Sequence, residues 1–345
     1  MMLPLPALAQ EAELEAVLDG AERLEPLETV IVAVDGETIA ERGYRGHSVD
    51  DPTNIKSASK SVVSALVGIA IDKGLIEGVE QRIADFLEED FPEDADPRLD
   101  EVTIGHLLSM QAGLAPTSGP NYGRWVASRN WVRAALAQDF ETDPGGRMLY
   151  STGSSHLLSA ILTEAGGDST LELAEEWFAA VEDFDITDWS RDPQGIYLGG
   201  NEMAMSPRSL LAFGEVYRMG GLAPDGTRVV SEEWIEQSWT ERTQSRFTGD
   251  GYGYGWFLRQ IGGEDVRYAW GFGGQMLYIV PALELTVVMT SDETSPSAGT
   301  GHRDALHGLL AEVIRVVGSS DASGGTDALN PSPGAPRRPL PSGER

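Results

Sequence analysis

Residues 54–61 read Asn54-Ile55-Lys56-Ser57-Ala58-Ser59-Lys60-Ser61, and an apolar run from Val62 to Ile71 follows directly. The pattern predicts a buried helix that begins near Ser57. Residues three apart share a helix face, so Lys60 comes to lie beside Ser57. The free N–H groups and positive dipole end of a helix N-terminus favour developing negative charge there. A serine hydroxyl needs a base to become a useful nucleophile, and a lysine serves only if burial makes it neutral near pH 7. The apolar run supplies that burial. On its own, Ser-x-x-Lys also describes two ordinary surface residues. The chain has only three lysines (Lys56, Lys60 and Lys73), however, and Lys60 alone has a serine three residues before it. This favours Ser57 as nucleophile and Lys60 as its base.

Composition narrows the remaining classes. The 345 residues can hold one large domain or two smaller ones. A balance of 55 acidic against 25 basic residues, formal charge −30, argues against nucleic acid or an anionic membrane as partner. The same acidity suits a saline habitat, although an arginine-favouring genome would also leave few lysines. With no cysteine, disulfide and thiolate chemistry are excluded. The five histidines show no metal-ligand spacing, so neither a metal nor another cofactor is expected. No apolar run is long enough for a transmembrane helix.

Along the chain, Ala7-Leu8-Ala9 before Gln10 looks like the end of a secretory signal, so residues 1–9 are read as a signal remnant and the protein as exported. Glu11 to Leu24 has helical spacing. Thr29–Val34 and Thr38–Tyr44 read as strands joined at Asp35-Gly36. From Gly74 to about Gly200 the pattern is mainly helical, with Thr103 near the cap of a short helix. Ser206-Pro207 opens another helix, to about Met219. Gly251 to Leu258 reads as one strand, followed by strands at Arg267–Trp270, Met276–Val280 and Leu285–Thr290 and a helix over Gly301–Val317. These late strands are expected to complete the sheet begun at residue 29. The Ser/Gly/Pro-rich stretch 319–345 is read as a disordered tail.

Four stretches, in order, resemble the serine hydrolases of the β-lactamase and penicillin-binding-protein fold, particularly the esterase and 6-aminohexanoate-dimer hydrolase branch. Ser57-Ala58-Ser59-Lys60 matches that family's Ser-x-x-Lys. Thr103 to Leu114 is similar to its T-I-x-x-L-L-S-M-x-S-G-L segment, with Ala112 where serine is usual. Pro144-Gly145 through Tyr150-Ser151-Thr152 matches the family's Pro-Gly…Tyr-x-Asn or Tyr-Ser-x motif. Tyr252 to Trp256 and Gly271-Phe272-Gly273-Gly274-Gln275 match the strand region where relatives carry Lys-Thr-Gly or His-x-Gly. The resemblance spans about residues 25–318.

It implies an α/β fold of the α+β type, β-lactamase/DD-peptidase-like: an antiparallel sheet flanked by helices plus a mostly helical region. One hydrolase domain over 10–318 would take its α/β part from about 10–59 and 201–318 and its helical part from about 60–200. It also implies a division of labour. Ser57 attacks a carbonyl, Lys60 takes its proton, and Tyr150 relays a proton to the leaving group while a cationic lysine holds the phenol's pKa down. The backbone amides of Ser57 and Phe272 would form the oxyanion hole, with Gly271 and Gly273 letting the sheet edge approach substrate. Thr152 stands where relatives carry an asparagine that grips a substrate carbonyl. Where penicillin-recognising relatives have Lys-Thr-Gly, this chain has Ala269-Trp270-Gly271. Weak or absent β-lactamase activity follows. Trp270, Trp256, Phe272 and Tyr122 suggest instead an apolar cleft for a small ester or linear amide, unless they are core, and Arg147 and Arg124 could meet a substrate carboxylate. The expectation is a cofactor-free serine hydrolase working through an acyl-enzyme. The rival is a non-catalytic binding or sensory protein of the same fold.

Overall fold

The computed structural model describes residues 5–324, with side chains from 10 to 319. Its centre is an eight-stranded antiparallel sheet ordered β2-β1-β11-β10-β9-β8-β7-β6. The strands are β1 (Leu27–Val34), β2 (Glu37–Gly43), β6 (Thr243–Gln244), β7 (Gly251–Tyr252), β8 (Phe257–Ile261), β9 (Glu264–Gly271), β10 (Gln275–Val280) and β11 (Leu285–Ser291). A small second sheet pairs β3 (Thr53–Asn54), β5 (Met203–Met205) and β4 (Asp188–Trp189) in that order. The late strands thus join the N-terminal hairpin, as their pattern predicts, through the β1–β11 ladder.

Strand side chains alternate between two cores because their period is two. Val30, Val32, Met276, Tyr278, Val287 and Met289 face one core, under helices α1 (Leu5–Gly20) and α11 (His302–Gly324). Ile31, Ala33, Leu277, Ile279 and Val288 face the other, where α2 (Ser59–Asp72) and α9 (Pro207–Arg218) lie. Burial on both faces explains why Val30 to Ala33 is continuously apolar rather than alternating. The remaining helices are α3 (Ala84–Leu87), α4 (Ile104–Leu108), α5 (Tyr122–Val126), α6 (Trp131–Leu136), α7 (Thr152–Gly166), α8 (Thr170–Trp177) and α10 (Glu232–Ser238). Among the described residues no helix is long and apolar enough to cross a membrane.

Several boundaries differ from the sequence reading. The Gly251–Leu258 stretch is two short strands rather than one. Gly255, at φ +80°, breaks the ladder between them. The freed carbonyls of Tyr254 and Gly255 instead accept 2.7 Å hydrogen bonds from Ser64 and Ser61 of α2. Helix α1 starts at Leu5, within the segment read as a signal remnant; residues 1–4 lie outside the described residues. Helix α11 continues to Gly324, so 319–324 are helical where composition suggests a tail, and 325–345 lie outside the described residues.

Candidate active site

Ser57 stands just outside α2, in a 3₁₀ turn (Lys56–Ala58) that leads into it. Lys56 has φ +50°, a left-handed conformation that costs energy for a side-chain-bearing residue. The Asn54 side chain steadies it by accepting the Lys56 N–H at 3.0 Å. The helix therefore begins two residues later than the sequence pattern suggests, yet Lys60 still meets Ser57. Lys60 Nζ lies 3.0 Å from Ser57 Oγ, 3.4 Å from Thr152 Oγ1 and 2.6 Å from the Gly200 carbonyl. The side chain is buried, and with no carboxylate partner among the described residues its desolvation lowers the pKa from the usual 10.5 to about 7.

Tyr150 precedes α7 and is half-buried, its ring centroid 5.1 Å from Lys60 Nζ. The segment that carries it is held by backbone. Leu149 N–H donates to the Met110 carbonyl at 2.8 Å, and Gly145 N–H to the Gln111 carbonyl at 2.8 Å. Met110 and Gln111 follow α4, where Thr103 is the cap the sequence suggested and His106 completes a capping box with it. Burial pushes the Tyr150 phenol up to about 12, against a smaller lowering by its hydrogen bond to Ser57. The expectation of a cationic lysine holding this phenol down is thus corrected. Desolvation disfavours the charge on Lys60 and on Tyr150 alike.

Thr152 opens α7 with its hydroxyl already engaged, 2.9 Å from Ser118 Oγ and near Lys60. It braces the lysine from the protein side. Phe272 occupies the β9–β10 turn with an exposed ring. A Cβ on Gly271 would collide with the Ile55 carbonyl, and one on Gly273 with the Asp292 carbonyl. The space at both glycines is filled by protein backbone, which brings the Phe272 turn against the strand leading to Ser57. Tyr122 is half-buried, and its hydroxyl accepts from Asn201 at 2.9 Å. Trp270 is half-buried, donating its indole N–H to Ser297 at 3.1 Å under the Arg303 guanidinium. Trp256 is fully buried among Phe213 and Tyr217, so it is core and lines no cleft. Arg147 pairs with Glu141 at 2.7 Å, and Arg124 is exposed.

Sequence reasoning missed Gly200, Ser118 and Glu202. Gly199-Gly200 is the one local signal that marked the first. Gly200 has φ +80°, and a Cβ there would come 2.5 Å from Lys60 Cγ. Glu202 Oε1 lies 3.6 Å from Lys56 Nζ and its Oε2 accepts from Asn54 at 2.6 Å; Glu293 is likewise 3.6 Å from Lys56. Beside them lies a cavity whose lining includes Glu28, Asp51, Asp188, Glu202 and Glu293.

The beta-lactamase family model matches residues 25–312. The 6-aminohexanoate-dimer hydrolase of Paenarthrobacter ureafaciens is 25% identical over 341 residues, which cover 90% of this chain and 84% of that protein. Two solved structures share the fold at low identity. A D-amino acid amidase from Ochrobactrum anthropi SV3, complexed with L-phenylalanine amide, superposes with TM-score 0.72 at 13% identity, covering 91% of this chain and 99% of that one. A family VIII carboxylesterase gives 0.70 at 16% identity, covering 89% and 97% respectively.

Proposed function

The chain belongs to the beta-lactamase family, a family of hydrolases, and from that membership we propose that it cleaves small esters or linear amides through a Ser57 acyl-enzyme. The observation that carries this reading is the buried Lys60 amine, 3.0 Å from Ser57 Oγ with its pKa brought to about 7. A substantial fraction of Lys60 is then neutral at physiological pH and able to accept a proton.

In the proposed reaction, Ser57 Oγ bonds to the substrate carbonyl carbon as its proton passes to Lys60 Nζ. The developing oxyanion takes hydrogen bonds from the Ser57 and Phe272 amides. Tyr150 retains its proton at neutral pH and gives it to the departing oxygen or nitrogen as that bond breaks. The Lys60 ammonium then restores the phenol. Water attacks the acyl ester with the same groups in the same roles, and Ser57 regains its proton.

The surroundings bear on substrate charge. Glu202 and Glu293 flank Lys56, the residue before Ser57, and this local negative field favours neutral or cationic substrates over anionic ones; the acidic cavity beyond them is lined by none of Ser57, Lys60 and Tyr150. Arg303, the cation over Trp270, is directed toward Asp250 and Asp304. This supports weak or absent turnover of β-lactams, which carry a carboxylate. The apparent secretory pattern of residues 1–9 supports a proposal of export.

Labelling with a fluorophosphonate and peptide mapping test the reading. Modification at Ser57, absent in Ser57→Ala, together with turnover of nitrophenyl esters or anilides, is the expected result. A folded protein that stays unlabelled would sink it and favour the non-catalytic reading.

A further inference from the structure

Behind Gly199-Gly200, the segment that meets Lys60, lies a buried pair that the proposed chemistry does not use. His156 sits on α7, one helical turn after Thr152 and so on the same face. Its ring is fully buried, closed over by Trp125 and Trp131, whose ring centroids lie 5.6 and 5.7 Å away. His156 Nε2 is 3.1 Å from Asp192 Oδ2, and neither side chain has any exposed surface. The other oxygen, Asp192 Oδ1, accepts the N–H groups of Gln194 at 2.8 Å and Ile196 at 2.9 Å. Burial opposes the charged carboxylate, but the bonds from His156, Ile196 and Gln194 outweigh it and hold the carboxyl below its usual range.

The opposite ring nitrogen faces the catalytic side. Gly199 N–H donates to His156 Nδ1 at 3.4 Å. An amide N–H can only donate, so this bond requires the lone pair on Nδ1 and the proton on Nε2, the tautomer that suits Asp192. The next residue, Gly200, accepts from Lys60 Nζ. Gly199 is pressed so close to α7 that a Cβ would collide with the Ser155 carbonyl. The segment is thus set by α7 on one side and met by Lys60 on the other.

We infer that His156, held in one tautomer by Asp192, is a positioning residue that fixes Gly199-Gly200, so that the Gly200 carbonyl orients the Lys60 amine toward Ser57. The inference rests on the hydrolase reading above. It assigns His156 no contact with substrate. A small displacement of a reacting group costs large factors in rate, so loss of this support reads out in acylation rather than in substrate binding.

Two amide replacements separate this role from plain packing. In His156→Asn the side-chain oxygen can stand where Nδ1 stands and keep the Gly199 bond. In His156→Gln the longer amide reaches toward Asp192 and leaves Gly199 N–H without its acceptor. The limiting acylation rate with a nitrophenyl ester should fall roughly tenfold or more in the Gln variant, with little change in KM, and stay within about threefold of native in the Asn variant. Equal losses in both that track their melting temperatures, or a Gln variant as fast as native, would overturn the role. Nitrogen NMR of the native protein decides the same point without any variant. An unprotonated Nδ1 and protonated Nε2 on His156 are expected, and a protonated Nδ1 rules out the Gly199 bond. Failure of the native protein to acylate at Ser57 would instead count against the hydrolase reading.

Discussion

Lys60 is the residue at which stability and chemistry oppose one another. Burial favours its neutral form, so the rate of acylation should rise with pH through an apparent pKa of about 7. Tyr150, at about 12, adds no alkaline limb below that value. A profile of kcat/KM from pH 5 to 10 checks this, and a bell falling away near pH 9 would contradict the Tyr150 assignment. Stability should move with the same group. The folded pKa lies below the unfolded 10.5, so the unfolded chain binds more protons between about 7 and 10.5, and stability rises with pH across that window. Below about 7 the cost of burying the charge is present in full. Lys60→Met should abolish acylation yet stabilise the fold at pH 6 by on the order of a few kcal/mol, a gain that shrinks by pH 10. Urea titrations at both pH values would show it.

At the scale of elements, α2 is held by polar bonds as well as by its apolar face. Ser61 and Ser64 donate to the Gly255 and Tyr254 carbonyls, groups with no ladder partner because Gly255 interrupts the strands. A Cβ on Gly255 would come 2.9 Å from the Lys60 carbonyl, so the turn and the helix backbone are in direct contact. Ser64→Ala leaves the buried Tyr254 carbonyl without its donor, at a cost of about 1–3 kcal/mol. A lowered melting temperature, with a smaller loss in acylation than any change at Lys60, is the expected result. Unchanged stability would mean that the hydroxyl adds nothing to the anchoring of α2.

For the whole molecule, a formal charge of −30 on 345 residues implies self-repulsion that salt relieves. The melting temperature should therefore rise from low salt to about 0.5 M NaCl, where the Debye length is only a few ångströms. A flat or falling response would show that local ion pairs such as Arg208 with Glu41 and Asp50 outweigh the net repulsion. The sheet adds a second global constraint. Its β1 strand, near the start of the chain, lies between β2 and β11, so neither terminal region completes the sheet without the other.

Much of this was legible in one dimension. Periodicity showed the N-terminal hairpin, the late strands and the helix after Ser206, because a strand or helix with a buried face must repeat its apolar residues at its own spacing. The Ser57–Lys60 pair was legible because both partners lie within one turn of chain. The Thr103 cap was legible for the same reason. Contacts made between distant segments were not. That Gly200 meets Lys60 across 140 residues, that Ser118 engages Thr152, and that Trp256 is core rather than cleft follow from packing between segments whose separation leaves no local pattern. The protonation state of Tyr150 belongs to this second kind: the apolar run after Lys60 already implied a lowered lysine pKa, whereas only the tertiary structure, by removing water from the phenol, raises that of Tyr150.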